Sequence, residues 1–420
     1  MAPGPAVNGC LKTLREGDCR LPKQGRNMFE DIKKFSITAR YFLIATFLMG
    51  LSNGMFDAVY NFYLEARGID KTATGFIYAV AMSMMAAAVV PLIYLSRKIA
   101  QKKLLLIAAC LYSLPFMLLP VLSSVWASAV TLGLILSGMI ALLSLGNSLM
   151  GSHIDPKSRT TLFSWFFVSY LGAAMTGSVV VSIVTHFSET AALRHYQWIL
   201  TASFISSLLM IGFRVKSVQG ISEPEKDNRH FSGIKSTEWL NFITLFIAAL
   251  LLGASITLVF RFINIVFHLA YTMNISEISL IMGADKIVSI IGAVFAPLIV
   301  KRFSLKIAII IIGIMTFVCL YLQSLPISVV LFISFYFVRL FLNYCLMPLL
   351  DTLAITGFAE GKTLLSTSIR QLSFYMGSAL SAILYGDLLD AGRWEETLVI
   401  SSVFALAGAV FMSLIRVRKE

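Results

Sequence analysis

The feature that most limits what this chain can become is a succession of apolar runs, each long enough to cross a bilayer. A hydrocarbon core of ~30 Å takes about 20 apolar residues in a helix. Twelve such runs are legible, at roughly 41–64, 74–95, 103–122, 125–146, 161–185, 196–213, 240–270, 276–300, 306–323, 325–349, 364–386 and 397–415. Tight turns at Ser123-Ser124 and Gln323-Ser324 divide stretches that are too long for one span. Of 420 residues, 58% are hydrophobic and 13% charged. A soluble domain of that size could not cover its surface with so few polar groups. The fold class is therefore an all-α polytopic membrane protein of 12 transmembrane helices.

The runs fall into two sets. A basic turn at Pro91 to Lys103 lies between the second and third runs, and a second one, Pro297 to Lys306, lies between the eighth and ninth. Pro91 and Pro297 are 206 positions apart, as are Gly68-Ile69-Asp70 and Asn274-Ile275-Ser276, while Gly172 and Gly377 are separated by 205. A constant offset of half the length signals a duplicated architecture. In a membrane chain it points to two parallel halves with a substrate path between them. The expected organisation is a basic tail over 1–36, a six-helix half over 37–214, a polar connecting loop over 215–236 and a second six-helix half over 237–417.

Charge gives the orientation. With Met1 inside, the cytoplasmic side collects the tail's basic residues, both basic turns, the 215–236 loop and Arg416, Arg418 and Lys419; the outside receives only Arg67, Lys71, Arg194 and Arg393. That asymmetry is the positive-inside pattern, and it places both termini in the cytoplasm. The net charge of +12 then reflects topology and contact with anionic lipid in the bilayer, and no nucleic-acid partner is implied. The tail has no apolar core before Tyr41, so no cleavable signal is expected. Five scattered cysteines give neither a disulfide framework nor a metal spacing. There is no Gly-x-x-x-x-Gly-Lys-Ser/Thr run for ATP, and no cofactor is expected.

Two six-span halves, a central loop and a basic turn after spans two and eight resemble the major facilitator superfamily, over Ile37 to Val417. The family's turn reads Gly-x-x-x-Asp-Arg-x-Gly-Arg-Arg/Lys. Here Arg97 stands in place of its Asp, Lys98 of its Arg, Ala100 of its second Gly, and Gln101-Lys102 of its basic pair. The family's Arg of span four is replaced by Leu134 before Gly138, and the repeat mate of Leu134 is Arg339. The resemblance implies two halves that rock around a central site lined by spans one, four, seven and ten.

Ionisable residues inside spans cost about 2.5–3.5 kcal/mol each at mid-depth, so they mark function by default. They are Asp57, Arg261, Asp285, Lys286, Arg339 and Arg370, in spans one, seven, eight, ten and eleven. Asn53, Asp57 and Asn61 recur at i, i+4 and i+8 on one face of span one, with Tyr60 beside them. Arg261, Asn264, His268 and Tyr271 form a second stripe on span seven, where the repeat offset sets Arg261 level with Met55. The expected solute ligands are Arg261, Arg339, Arg370, Asn61, Tyr60 and Asn264, because a guanidinium fork suits a carboxylate or phosphate. Asp57 is the expected coupling group. Arg97, Lys98, Lys102 and Lys103 are expected to act in gating. Asp285 and Lys286, about 100° apart on a helix, are expected to hold neighbouring helices, Asp285 through an Arg or span eleven.

The expected function is secondary transport of a small anionic or zwitterionic solute by a monomer, coupled to protons, in the plasma (or bacterial inner) membrane. An uncoupled facilitator, a lipid- or drug-moving relative and a non-transporting sensor are the alternatives. An enzyme is the least expected reading, since the cytoplasmic face shows no Cys/His/Asp/Glu metal set. The topology is testable directly: a cysteine placed at Asn228 should resist impermeant maleimide applied to intact cells, and labelling from outside would overturn the orientation.

Overall fold

The computed structural model describes residues 36–122, 124–153, 156–186, 192–219, 236–358 and 363–415. The 1–35 part of the tail lies outside them. The described residues form α1 (Ile37–Ala66), α2 (Lys71–Lys98), α3 (Gln101–Ser113), α4 (Val125–His153), α5 (Pro156–His186), α6 (Ala192–Gln219), α7 (Ser236–Thr257), α8 (Ile263–Tyr271), α9 (Ile275–Arg302), α10 (Leu305–Gln323), α11 (Val329–Thr356), α12 (Thr363–Asp390) and α13 (Trp394–Leu414). A π-helical turn, Leu258–Phe262, joins α7 to α8 into one span. Eleven spans are single stretches long and apolar enough to cross a membrane. The remaining one is α3, which has 13 residues and continues as a 3₁₀ turn over Leu114–Met117, where Pro115 cannot donate to the ladder.

Polar caps fix where the helices begin. The Ser36 hydroxyl accepts from Ala39 N–H at 3.3 Å, and Asp70 Oδ1 accepts from Ala73 N–H at 2.6 Å. Asn274 and Glu277 cap each other reciprocally at the start of α9. The connecting loop expected over 215–236 is shorter than that, because α6 runs on to Gln219; residues 220–235 lie outside the described set. The tenth run, expected to end at 349, continues as α11 to Thr356 and so takes in Asp351.

The duplicated plan is visible as one contact made twice. In the first half Ser178 Oγ lies 3.4 Å from Gly54 O and 3.2 Å from Ala174 O, where α5 crosses α1. In the second, Ser378 Oγ lies 3.1 Å from Gly253 O and 3.0 Å from Phe374 O, where α12 crosses α7. A Cβ on Gly54 would strike the Ala174 backbone, and one on Gly253 the Phe374 backbone. Gly177 likewise meets Leu51 O, and Gly377 meets Leu250 O. The structural offset in these spans is thus 199–200, against 206 at the basic turns. Gly377 is the mate of Gly177, and Gly172 has open space around it. The reason is that helix crossings are kept while segment lengths change: 37 residues separate Gly54 from Pro91, and 44 separate Gly253 from Pro297.

Between the halves, α2 packs along α12, and α5 along α9. Among the described residues, hydrogen bonds join the halves from mid-depth to the end away from the basic turns. Lys71 N–H donates to Asp390 Oδ1 at 3.1 Å, and the Ser182 hydroxyl donates to Ser276 O at 2.8 Å. A Cβ on Gly386 would sit 2.8 Å from the Gly75 Cα, so α2 and α12 nearly touch there. These crossings give a direct test. Gly54→Ala and Gly377→Ala force backbone apart and should cost about 1–3 kcal/mol, lowering the unfolding midpoint in detergent. Gly172→Ala should leave it unchanged, and equal losses at all three sites would refute this packing.

Candidate solute site between the halves

The two polar stripes meet. Arg261 Nη1 lies 3.2 Å from Asp57 Oδ1, and Asn53 Nδ2 donates to Asp57 Oδ2 at 2.7 Å. This ion pair joins α1 of the first half to the π turn of the second. It is not sealed: the side chains are 11% and 18% exposed, respectively. Arg261 Nε is buried and has no acceptor. The guanidinium also stands 5.7 Å from the Tyr78 ring centroid, a cation–π distance. One donor of Arg261, Nε–H, is therefore unspent beside an ion pair that is partly exposed.

The π turn sets this geometry. In a regular helix, Ile265 N–H would donate to the Arg261 carbonyl. Here Ile265 N–H donates to Asn264 Oδ1 at 2.9 Å. The Arg261 carbonyl accepts from Asn61 Nδ2 at 2.5 Å, and the same Nδ2 donates to Asn264 Oδ1 at 2.8 Å. The Tyr78 hydroxyl completes the set by donating to Asn61 Oδ1 at 2.8 Å. Asn61, Asn264 and Tyr60 are all buried, and Asn61's polar atoms are committed. Arg261 lies opposite Asn61, beyond the level of Met55 that the 206-residue offset implied. π turns concentrate at functional sites, and no periodicity rule reads one from sequence.

A second polar cluster lies in the C-terminal half. Lys286 Nζ is 2.8 Å from Asp285 Oδ1, and the Tyr336 hydroxyl donates to Asp285 Oδ2 at 2.9 Å. Asp285 thus pairs with its own neighbour and with α11, where an Arg or span eleven was expected. Adjacent residues start about 100° apart, but the flexible lysine stem spans that difference. Asp57 lies within Coulombic range of both Lys286 and Asp285, so the two clusters share one electrostatic field. Arg339 is fully buried beside the Tyr336 ring, 5.6 Å from its centroid. None of its three guanidinium nitrogens has a hydrogen-bond partner.

The other expected residues are placed elsewhere. Arg370 pairs with Asp351, a carboxylate of α11 that the sequence boundaries left outside the span. Arg214, expected at a cytoplasmic boundary, is 1% exposed, with its guanidinium 4.3 Å from the Phe42 ring centroid. At the basic turn Lys98 Nζ stands 4.4 Å from the Tyr94 ring centroid. Lys102 is half-buried and Lys103 exposed at the start of α3. The Arg97 side chain lies outside the described residues.

The sequence pattern of the Major Facilitator Superfamily matches residues 42–364. The chain belongs to this superfamily. Its fold is that of solved members. The nucleoside transporter NupG is 15% identical, with a TM-score of 0.71 over 91% of this chain and 100% of that one. A bacterial homologue of the human lysosomal transporter Spinster, inward-facing and unoccupied, is 11% identical, with a TM-score of 0.68 over 90% and 96%. The xylose transporter XylE from E. coli, inward open, is 13% identical, with a TM-score of 0.70 over 90% and 95%. No curated protein is similar enough in sequence to count as a relative.

Burial ranks the two carboxylate pairs. The Asp285 side chain is 6% exposed, whereas that of Asp351 is 53% exposed. Removing one partner of a buried pair costs about 3–5 kcal/mol, while half-exposed pairs contribute about 1 kcal/mol or less. Asp285→Asn should therefore lower the unfolding midpoint and purified yield sharply, and Asp351→Asn only slightly. The reverse order would show that the α9–α11 cluster is not a structural tie.

Proposed function

We propose that the protein carries a small anionic or zwitterionic solute by alternating access, with Arg261 as the anion ligand and Asp57 as the proton-carrying coupler. The observation that carries this reading is the Asp57–Arg261 pair. It bridges the halves, remains partly exposed, and leaves a guanidinium nitrogen without an acceptor. The pair Asp57–Arg261, the pair Asp285–Lys286 and the unpaired Arg339 together carry two carboxylates against three cations, an excess of one positive charge among these groups. The Arg370–Asp351 pair is balanced by itself. An arriving anion meets a positive field and a fork geometry suited to carboxylate or phosphate.

Coupling follows from competition for one cation. A carboxylate beside a guanidinium favours its ionised form, and one that loses that cation in a low-dielectric cleft favours protonation. A solute anion that takes Arg261 would release Asp57 to accept a proton, with no separate relay. Arg339 would contribute to the field from its buried position, and Arg370 through its exchangeable Asp351 partner. The contacts between the halves at Lys71–Asp390 and Ser182–Ser276 fit a state closed at the outer end, with the basic-turn end and both termini in the cytoplasm. Arg97, Lys98, Lys102 and Lys103 would then act in the switch that closes the inner end, as a monomer rocks 37–214 against 237–417.

Thermal-shift screening against small carboxylates, phosphates and amino acids would identify the solute. With it, Asp57→Asn proteoliposomes should keep solute exchange within a few-fold and lose accumulation driven by an imposed pH gradient. Arg261→Ala should lose binding. Accumulation that survives in Asp57→Asn would remove the coupling role and leave an uncoupled facilitator.

A further inference from the structure

The Asn61 carboxamide belongs to the first half, yet it repairs a break in a helix of the second. The break is the π turn Leu258–Phe262; just beyond it Ile265 N–H bonds to Asn264 Oδ1, and the Arg261 carbonyl takes a donor from outside its own helix. Asn61 Nδ2 supplies that donor at 2.5 Å and also reaches Asn264 Oδ1 at 2.8 Å. Asn61 is 4% exposed and Asn264 2%, so water is not at hand to substitute. Tyr78 fixes the amide from one side through its hydroxyl and stands against the Arg261 guanidinium with its ring. The side chain of Arg261 and its own carbonyl are thus both held by the first half, through Asp57 and Asn61.

We propose that Asn61 is a positioning residue for Arg261, a latch that keeps the π turn open and the guanidinium on Asp57 only while the two halves are closed at the end away from the basic turns. When the halves part there, Asn61 withdraws with α1. The Arg261 carbonyl and Asn264 Oδ1 then both lose the donor that α1 supplied, and the arrangement it held is no longer favoured. The nearest remedy is Ile265 N–H, and making that bond gives up the π turn or moves it along the helix. One residue of helical register is about 100° of rotation, which turns Arg261 away from Asp57. Closure of the far end and integrity of the ion pair are in this way one event. The assignment rests on the reading of Arg261 as the solute ligand only for its consequence in transport; the latch itself operates without solute.

The test therefore uses solute-free protein in lipid nanodiscs, with spin labels on cysteines at Glu65 and Glu395 in a background lacking the native cysteines. Both positions are exposed and lie in different halves at the closed end. Asn61→Leu keeps the branched shape and the number of side-chain heavy atoms and removes the donor. It should raise the population with the long inter-label distance by about tenfold, the effect of losing two hydrogen bonds. Tyr78→Phe removes only the hydroxyl that orients the amide and should shift the population in the same direction by less. Deleting Val259, one residue of the π turn, should mimic Asn61→Leu, and the combination should give no further shift. Wild-type distance distributions in both Asn61→Leu and Tyr78→Phe would overturn the latch. So would effects of Asn61→Leu and the deletion that simply multiply, because independent action means Asn61 does not work through the turn. Tyr78→Phe and the deletion decide the matter if Asn61→Leu does not fold. A wrong assignment of the solute ligand would leave all of these distances as stated and would show only in the proteoliposome assay.

Discussion

A charge placed in hydrocarbon must find an opposite charge or a route to water, and most of this structure's specific features answer that requirement. The described spans keep Asp57 against Arg261, Asp285 against Lys286, and Asp351 against Arg370. The pairs differ in what they join. Asp57–Arg261 crosses between the halves, while the other two stay within the C-terminal half. A pair within one half can stay intact while the halves rock. A pair across the seam must break or be replaced when the halves part there.

The backbone obeys the same rule. Inside lipid each amide and carbonyl must be satisfied by the protein, so a π turn in a span cannot exist without side chains that serve its freed groups. Asn264 serves the amide of Ile265 and Asn61 the carbonyl of Arg261. The second of these side chains, the donor Asn61, comes from the opposite half. The irregular turn is consequently a property of the two halves together, and it occurs beside an ion pair that links them.

Small residues let the halves be rigid bodies. Gly54 and Gly177 bring α1 onto α5, and Gly253 and Gly377 bring α7 onto α12, with Ser178 and Ser378 donating at the crossings. Apolar side chains gain nothing by leaving lipid, so close backbone approach and interhelical hydrogen bonds supply the association. Between the halves α2 and α12 also come close, at Gly75 and Gly386, and polar contacts at Lys71–Asp390 and Ser182–Ser276 join the same end.

The sequence by itself determined the all-helical membrane fold, the span positions and the duplicated plan, because these follow from run length and hydropathy. It also determined that Asn53, Asp57 and Asn61 share a face and that Arg261 and Asn264 share another, because helical periodicity is local. Only the tertiary structure decided which charges pair. Asp351 was assigned outside a span, since hydropathy falls before α11 ends, and its pairing with Arg370 follows from helix packing. Lys286 turned to its neighbour Asp285 because the lysine stem is flexible and Tyr336 holds the other carboxylate oxygen. The repeat register shifted from 206 to 199–200 because segments between crossings change length freely, while the glycine contacts do not. The π turn escaped the sequence altogether: one extra residue in a helix leaves hydropathy unchanged, and what stabilises it is an asparagine from 200 residues away.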